Sequence, residues 1–133
     1  MQSKKPIFKK AFEPIDHYEE STWMGNDTPF METDYTGVFN DKYPCTPGHI
    51  LFIPKKNTPE YVGQSYGLAY EYGNKKIKEG KMMGFNVGMN IGLCAGQTIL
   101  WPHIPFIPRH EGDSEHHGGM RYAHPNADHN HYY

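Results

Sequence analysis

The stretch Gly96-Gln97-Thr98-Ile99-Leu100-Trp101-Pro102-His103-Ile104-Pro105-Phe106-Ile107-Pro108-Arg109 decides how this chain folds. A glycine turn leads into a run whose side chains alternate, so residues 98–107 are predicted as the last strand. Period 2 puts Ile99, Trp101, His103, Pro105 and Ile107 on one face. Thr98, Leu100, Pro102, Ile104 and Phe106 take the other. One imidazole, His103, stands among apolar neighbours. A neutral imidazole is a good nucleophile, and a substituted one is labile enough to turn over. Pro102 and Pro105 are three apart, so their missing N–H groups face opposite neighbours. A bulge or shortened pairing is expected near Pro105.

Working outward, residues 85–91 (Phe-Asn-Val-Gly-Met-Asn-Ile) alternate and read as a strand. The glycine-rich loop 92–96 follows, where backbone N–H groups are free to approach an anion. Gln97 and Thr98 add an amide and a hydroxyl that donate without adding charge. Upstream, Thr58 is a good helix N-cap and Pro59 suits the first helical position. Tyr61, Ser65, Leu68 and Tyr72, with Val62 and Ala69, keep a 3.6-residue period, so one helix is predicted to run to about residues 78–80. Residues 35–40 and 49–53 suit strands and are joined by Pro44-Cys45-Thr46-Pro47-Gly48, which is turn chemistry. Strand, strand, helix, strand, strand reads as an α+β domain with a mainly antiparallel sheet. Residues 1–34 have weak periodicity and many breakers.

Several segments, in this order, resemble the histidine-triad (HIT) nucleotide hydrolases and transferases. Asp41-Lys42-Tyr43-Pro44-Cys45-Thr46-Pro47-Gly48-His49 is similar to the family's Asp-x-x-Pro-x-Ser/Thr-Pro-Gly-His segment. Ile53-Pro54-Lys55-Lys56-Asn57 is similar to Ile-Pro-Lys-Lys-His. Asn86-Val87-Gly88-Met89-Asn90-Ile91-Gly92-Leu93-Cys94-Ala95-Gly96-Gln97-Thr98 resembles the approach to the triad. Pro108-Arg109, Gly112-Asp113 and Gly118-Gly119-Met120-Arg121 resemble the continuation in a bacterial branch. The triad signature reads Gly-Gln-Ser/Thr-x-x-His-φ-His-φ-His-φ-φ, with φ apolar. Its histidine positions fall on Trp101, His103 and Pro105, so only the middle histidine is kept.

The resemblance implies a HIT-like fold: an antiparallel sheet of about five strands with one main helix packed on it, usually as a homodimer. It implies His103 as nucleophile at an α-phosphorus, with Gln97 and Thr98 assisting at the phosphate and Asn90 facing the ribose-phosphate. Asp41 would grip the ribose hydroxyls and His49 would lie near the base or one layer behind the residues that touch the nucleotide. The first family histidine acts largely through its backbone carbonyl, which Trp101 keeps. The third donates to the scissile phosphate or leaving group, and Pro105 can donate nothing. His110 or a tail histidine is the candidate replacement. No metal or other cofactor is required.

Composition bounds the alternatives. A chain of 133 residues with two cysteines and net charge −2 is one domain without a disulfide framework or a case for bulk nucleic-acid binding. No run of 18 apolar residues exists, and residues 1–10 are basic without the apolar run of a signal peptide, so a reduced cytoplasmic setting is expected. Three units are expected: an N-terminal extension, 1–28; the nucleotide-binding domain, 29–110; and an irregular tail, 111–133, that holds most of the histidines, His116, His117, His124, His129 and His131 included. Lys55 and Lys56 read as a solvated strand end or phosphate attractors. Cys94 reads as a small apolar filler or an oxidation-sensitive thiol. The leading function is hydrolysis or transfer on a nucleotide conjugate. A catalytically weak nucleotide-binding module is the second reading, and a His-rich metal binder the third.

Overall fold

In the computed structural model, residues 13–115 and 118–131 are described. Among the described residues five strands form one antiparallel sheet. β1 is Met31–Glu32, β2 Thr36–Asn40, β3 Ile50–Pro54, β4 Gly84–Val87 and β5 Ile104–Arg109. Their order across the sheet is β1-β2-β3-β5-β4. The described residues also form the α-helices α1 (Thr22–Asn26) and α2 (Pro59–Lys78). The α+β expectation, with one main helix on an antiparallel sheet, therefore holds.

α2 begins where its cap directs. The Thr58 hydroxyl accepts the Tyr61 N–H, Pro59 opens the first turn, and Lys75, Lys76 and Lys78 sit at the negative end. Its inner face packs on Val38, Ile50, Phe52, Ile104 and Phe106, all buried. Phe52, Tyr72, Phe85 and Phe106 form an aromatic cluster, with Phe85 stacked on Phe106 at 5.0 Å. One buried polar contact ties helix to sheet. The Ser65 hydroxyl donates to the Tyr61 carbonyl, so the Thr36 hydroxyl must donate to Ser65, at 2.6 Å.

The opposite face carries a second cluster: Phe39, Leu51, Ile53, Trp101 and Tyr18, with Ile15, Trp23 and Met24 against them. Residues 14–26, which show no long period in the sequence, form a strap over this face. Pro14 bridges to Leu100, and a helical turn at Tyr18–Glu20 leads into α1. Tyr18 lies over Gly37, where any Cβ would collide with its hydroxyl.

The last strand is a correction. It was expected over 98–107 and begins at Ile104, so His103 sits just before it. The shared cause is proline. The Pro105 carbonyl accepts the Gly88 N–H, so Pro105 faces β4, and residues 102, 104, 106 and 108 face β3. Pairing with β3 is confined to Ile104, Pro105 and Phe106, bracketed by Pro102 and Pro108. Pairing with β4 ends at Val87, one row before the donor that Pro105 lacks. The register stays continuous in both ladders, so the pairing is shortened and not bulged. β4 likewise stops short of the expected 85–91, which frees the chain from Gly88 onward as a loop.

Among the described residues no helix is long and apolar enough to cross a membrane. The tail makes a helical turn at Gly119–Ala123, and Tyr122 stacks on His129 at 4.3 Å. His116 and His117, and the basic residues of 1–10, lie outside the described residues. No group of three His, Cys, Asp or Glu among the described residues is placed to hold a metal ion.

Two helical glycines give opposite expectations. A Cβ at Gly73 would strike the Phe85 ring, whereas nothing lies within 4 Å of one at Gly67. Gly73→Ala should destabilise by about 1–3 kcal/mol through overpacking. Gly67→Ala should stabilise by roughly 0.5–1 kcal/mol through helix propensity. Urea unfolding of the two variants checks both signs.

Candidate active site

The chain enters β5 through Trp101-Pro102-His103, and each residue has a distinct task. Pro102 has no N–H to give the Pro54 carbonyl, its partner in the next ladder row. The Trp101 indole N–H takes that place, donating to the Pro54 carbonyl at 2.9 Å. Trp101 is 3% exposed. Its side chain is therefore committed to the fold, while its own carbonyl stays available. That carbonyl lies 2.8 Å from His103 Nδ1. A carbonyl only accepts, so the imidazole proton is on Nδ1 and the Nε2 lone pair is free. This is the backbone role that the resemblance implies for the first triad position.

Burial holds the His103 pKa below its ordinary value, against the opposing pull of the Trp101 carbonyl and the Asp41 charge. The ring is thus kept neutral near pH 7, the form in which Nε2 is nucleophilic. The Trp23 ring leans on it, with centroids 4.8 Å apart and planes at 48°. The sequence reading missed Trp23. The available signal was Ser21, an N-cap whose side chain accepts from the Met24 N–H.

Asp41 and His49 form a preset pair at the turn between β2 and β3. The Tyr43 N–H donates to Asp41 Oδ1 at 2.7 Å, and the Cys45 N–H donates to His49 Nδ1 at 3.1 Å. His49 must then carry its proton on Nε2, which lies 3.2 Å from Asp41 Oδ2 but off hydrogen-bond alignment. Gly48 makes the turn, with φ 86 and Pro108 packed where a Cβ would point.

The glycine loop is braced from inside. Gln97 Oε1 accepts the Gly92 N–H at 2.8 Å, and Gln97 Nε2 donates to the Ile99 carbonyl at 3.1 Å. Its amide is spent on the loop. Thr98 and Asn90 are exposed, and neither side chain bonds to a described residue. Gly96 turns the chain in the left-handed region, with φ 95. Cys94 is exposed, so it is no buried filler. A cavity of about 420 Å³ opens between this loop and the start of α2, lined by Asn57, Val62, Asn90, Gln97 and Leu100 among others. His103 and Asp41 lie outside its lining, on the opposite face of the sheet.

Pro105 shares the His103 face and presents ring carbons only. His110 is no replacement. It lies beyond the far end of β5, roughly 20 Å from His103 by strand rise. Its N–H donates to Asp113, whose carboxylate is gripped by Arg109 and held well below the usual carboxylate range.

A scan against protein-family models finds no match. The chain is 32% identical over 90 residues to an uncharacterized HIT-like protein of Methanocaldococcus jannaschii, covering 63% of this chain and 70% of that one. It is 28% identical over 91 residues to the asymmetrical bis(5'-nucleosyl)-tetraphosphatase of Schizosaccharomyces pombe, covering 63% and 50%. It is 33% identical over 89 residues to an adenylylsulfatase of Arabidopsis thaliana, covering 62% and 45%. The chain thus spans half or less of the length of these two enzymes. Among solved structures, a Zn-bound histidine triad family protein from Mycobacterium smegmatis superposes with a TM-score of 0.58 at 28% identity, covering 63% and 66%.

The Trp101 indole bond is testable by itself. Trp101→Phe keeps the ring and the carbonyl toward His103 but orphans the buried Pro54 carbonyl. The loss should be about 1–3 kcal/mol in urea unfolding. An unchanged midpoint would show that the bond contributes nothing.

Proposed function

This chain belongs to the histidine-triad (HIT) family, and from that premise we propose that it hydrolyses or transfers at the α-phosphate of a nucleotide conjugate. The observation that carries the reading is the His103 ring, proton on Nδ1 against the Trp101 carbonyl and Nε2 free. In the first step the Nε2 lone pair bonds to the α-phosphorus, and the bond to the leaving oxygen or nitrogen breaks with its electrons. Water then attacks the nucleotidyl-His103, releasing the nucleoside monophosphate and restoring the ring. A transferase uses a phosphate or alcohol acceptor in place of water. Thr98 and the loop N–H groups are the donors assigned to the phosphate oxygens, with Gln97 holding the loop that aims them, while Asn90 faces the cavity on the α2 side. Asp41, oriented by the Tyr43 N–H, takes the ribose hydroxyls, and His49 lies against its other oxygen.

The names of the yeast and plant relatives support nucleotide conjugates as the substrate class. Pro105 narrows it. With no donor at that position, a leaving group must depart unprotonated. Polyphosphates and sulfate do so as stable anions, whereas the amine of a phosphoramidate does not. We take residues 29–110 as the nucleotide-binding unit and a dimer as its working form, with the open edge of β4 available for contact. The second reading, a nucleotide-binding module with little turnover, is favoured by Pro105 alone.

Hydrolysis of diadenosine tetraphosphate, adenylyl sulfate and an adenosine phosphoramidate tests the reading. His103→Ala should abolish turnover of all three. Pro105→His should raise phosphoramidate turnover by up to ~10²-fold, the usual worth of one such donor, and the anhydrides by far less. Wild-type rates independent of His103 would sink the enzyme reading. An AMP-induced rise in melting temperature without turnover would leave the binding module.

A further inference from the structure

Among the described residues, Trp23 is the side chain laid ring-to-ring against His103. The strap that carries it is fixed at several points. Pro14 bridges to Leu100, Tyr18 is 5% exposed over Gly37, and Ser21 is buried while capping α1. His103 therefore has Nδ1 held by the Trp101 carbonyl and its flank covered by an indole, which leaves Nε2 as the reactive edge. Neither neighbouring position on that face offers an imidazole. The Trp101 indole is bound to Pro54, and Pro105 has no polar side-chain atom.

We propose that Trp23 is the positioning residue of His103, fixing the plane of the imidazole by aromatic contact and shielding it from water. The proposal rests on His103 being the nucleophile. A hydrogen bond through Nδ1 leaves the ring free to tilt about that bond, and a wall on its flank removes this freedom. A displacement of about 1 Å at a reacting atom costs on the order of 10²-fold in rate. Burial holds the ring neutral, and the indole is the cover that the strap lays on its flank. The groups that face His103 are Trp23 from α1, the Trp101 carbonyl, and the charge of Asp41 at the end of β2. Removing the indole lets water in, so the His103 pKa must rise and the acid limb of the rate profile must move to higher pH.

The experiment compares wild type, Trp23→Phe and Trp23→Ala. His103 is titrated through its ring proton resonance, assigned by its loss in His103→Asn, and kcat and KM are measured against pH. Trp23→Phe keeps a ring and should titrate like wild type, with kcat within about threefold. Trp23→Ala should titrate at higher pH and lose roughly ten- to a hundredfold in kcat, with KM changed less. A folded Trp23→Ala with the wild-type titration overturns the proposal, as does a Trp23→Phe that falls as far as Trp23→Ala. If Trp23→Ala does not fold, indole emission decides. Wild-type emission should fall as His103 protonates and should lose that pH dependence in His103→Asn; a pH-independent emission overturns the contact. The titration and the emission need no substrate. Failure of turnover in every variant therefore counts against the enzyme reading alone.

Discussion

Each proline around β5 removes one backbone donor on a fixed side, and much of the architecture follows from where those three donors are missing. Pro102 and Pro108 face β3 and bracket its ladder. Pro105 faces β4 and ends that ladder at Val87, which releases the chain into the glycine loop. The gap left by Pro102 is filled by the Trp101 indole on the Pro54 carbonyl. Because the side chain of Trp101 is turned to that task, its carbonyl is left facing His103. The position that departs from the triad pattern thus ties the sheet with its side chain and holds the His103 ring with its backbone carbonyl.

The helix was legible because its signals are local: a Thr58-Pro59 start, a long 3.6-residue period and lysines at the end. β2 and β3 were legible for the same reason, and their limits shift by one residue. The start of β5 was not. Side-chain alternation persists through residues 99–103, but hydrogen bonding does not, and alternation reports only the former. α1 was missed because five residues are too short to display a period. The motif order located His103, Asp41, His49, Asn90, Gln97 and Thr98 in sequence. It gave no sign that Gln97 would spend both ends of its amide inside the loop, because a spacing names a donor without naming its acceptor.

The two faces of the sheet are unequal. On one, α2 closes an aromatic cluster with Phe52, Phe85 and Phe106 and adds the buried Thr36–Ser65 contact. On the other, the cover is a strap that contributes Ile15, Tyr18, Trp23 and Met24. Burial of apolar area is the main favourable term in folding, and among the described residues the helix side packs the larger set of apolar side chains. His103 lies on the strap side. A change in the strap alters the surroundings of His103 while leaving the helix-side core intact. The Tyr18 hydroxyl shows the cost of this thin cover: it is buried without a partner, and its pKa is pushed up to about 12, first by burial and then by Glu32 and Glu19.

Charge is sparse around His103, and that sparseness sets the protonation state of the ring. Asp41 is the carboxylate whose field reaches His103, and it favours the protonated ring. Burial opposes it and prevails. Had the strap been absent, the same carboxylate would have biased the imidazole toward the cation, which has no lone pair to offer phosphorus. The strap and Asp41 are therefore coupled. On the proposed function, an anionic substrate would add negative charge and push His103 further toward protonation. A neutral His103 in that complex would depend on the loop N–H groups and Thr98 taking up the phosphate charge before Nε2 meets phosphorus.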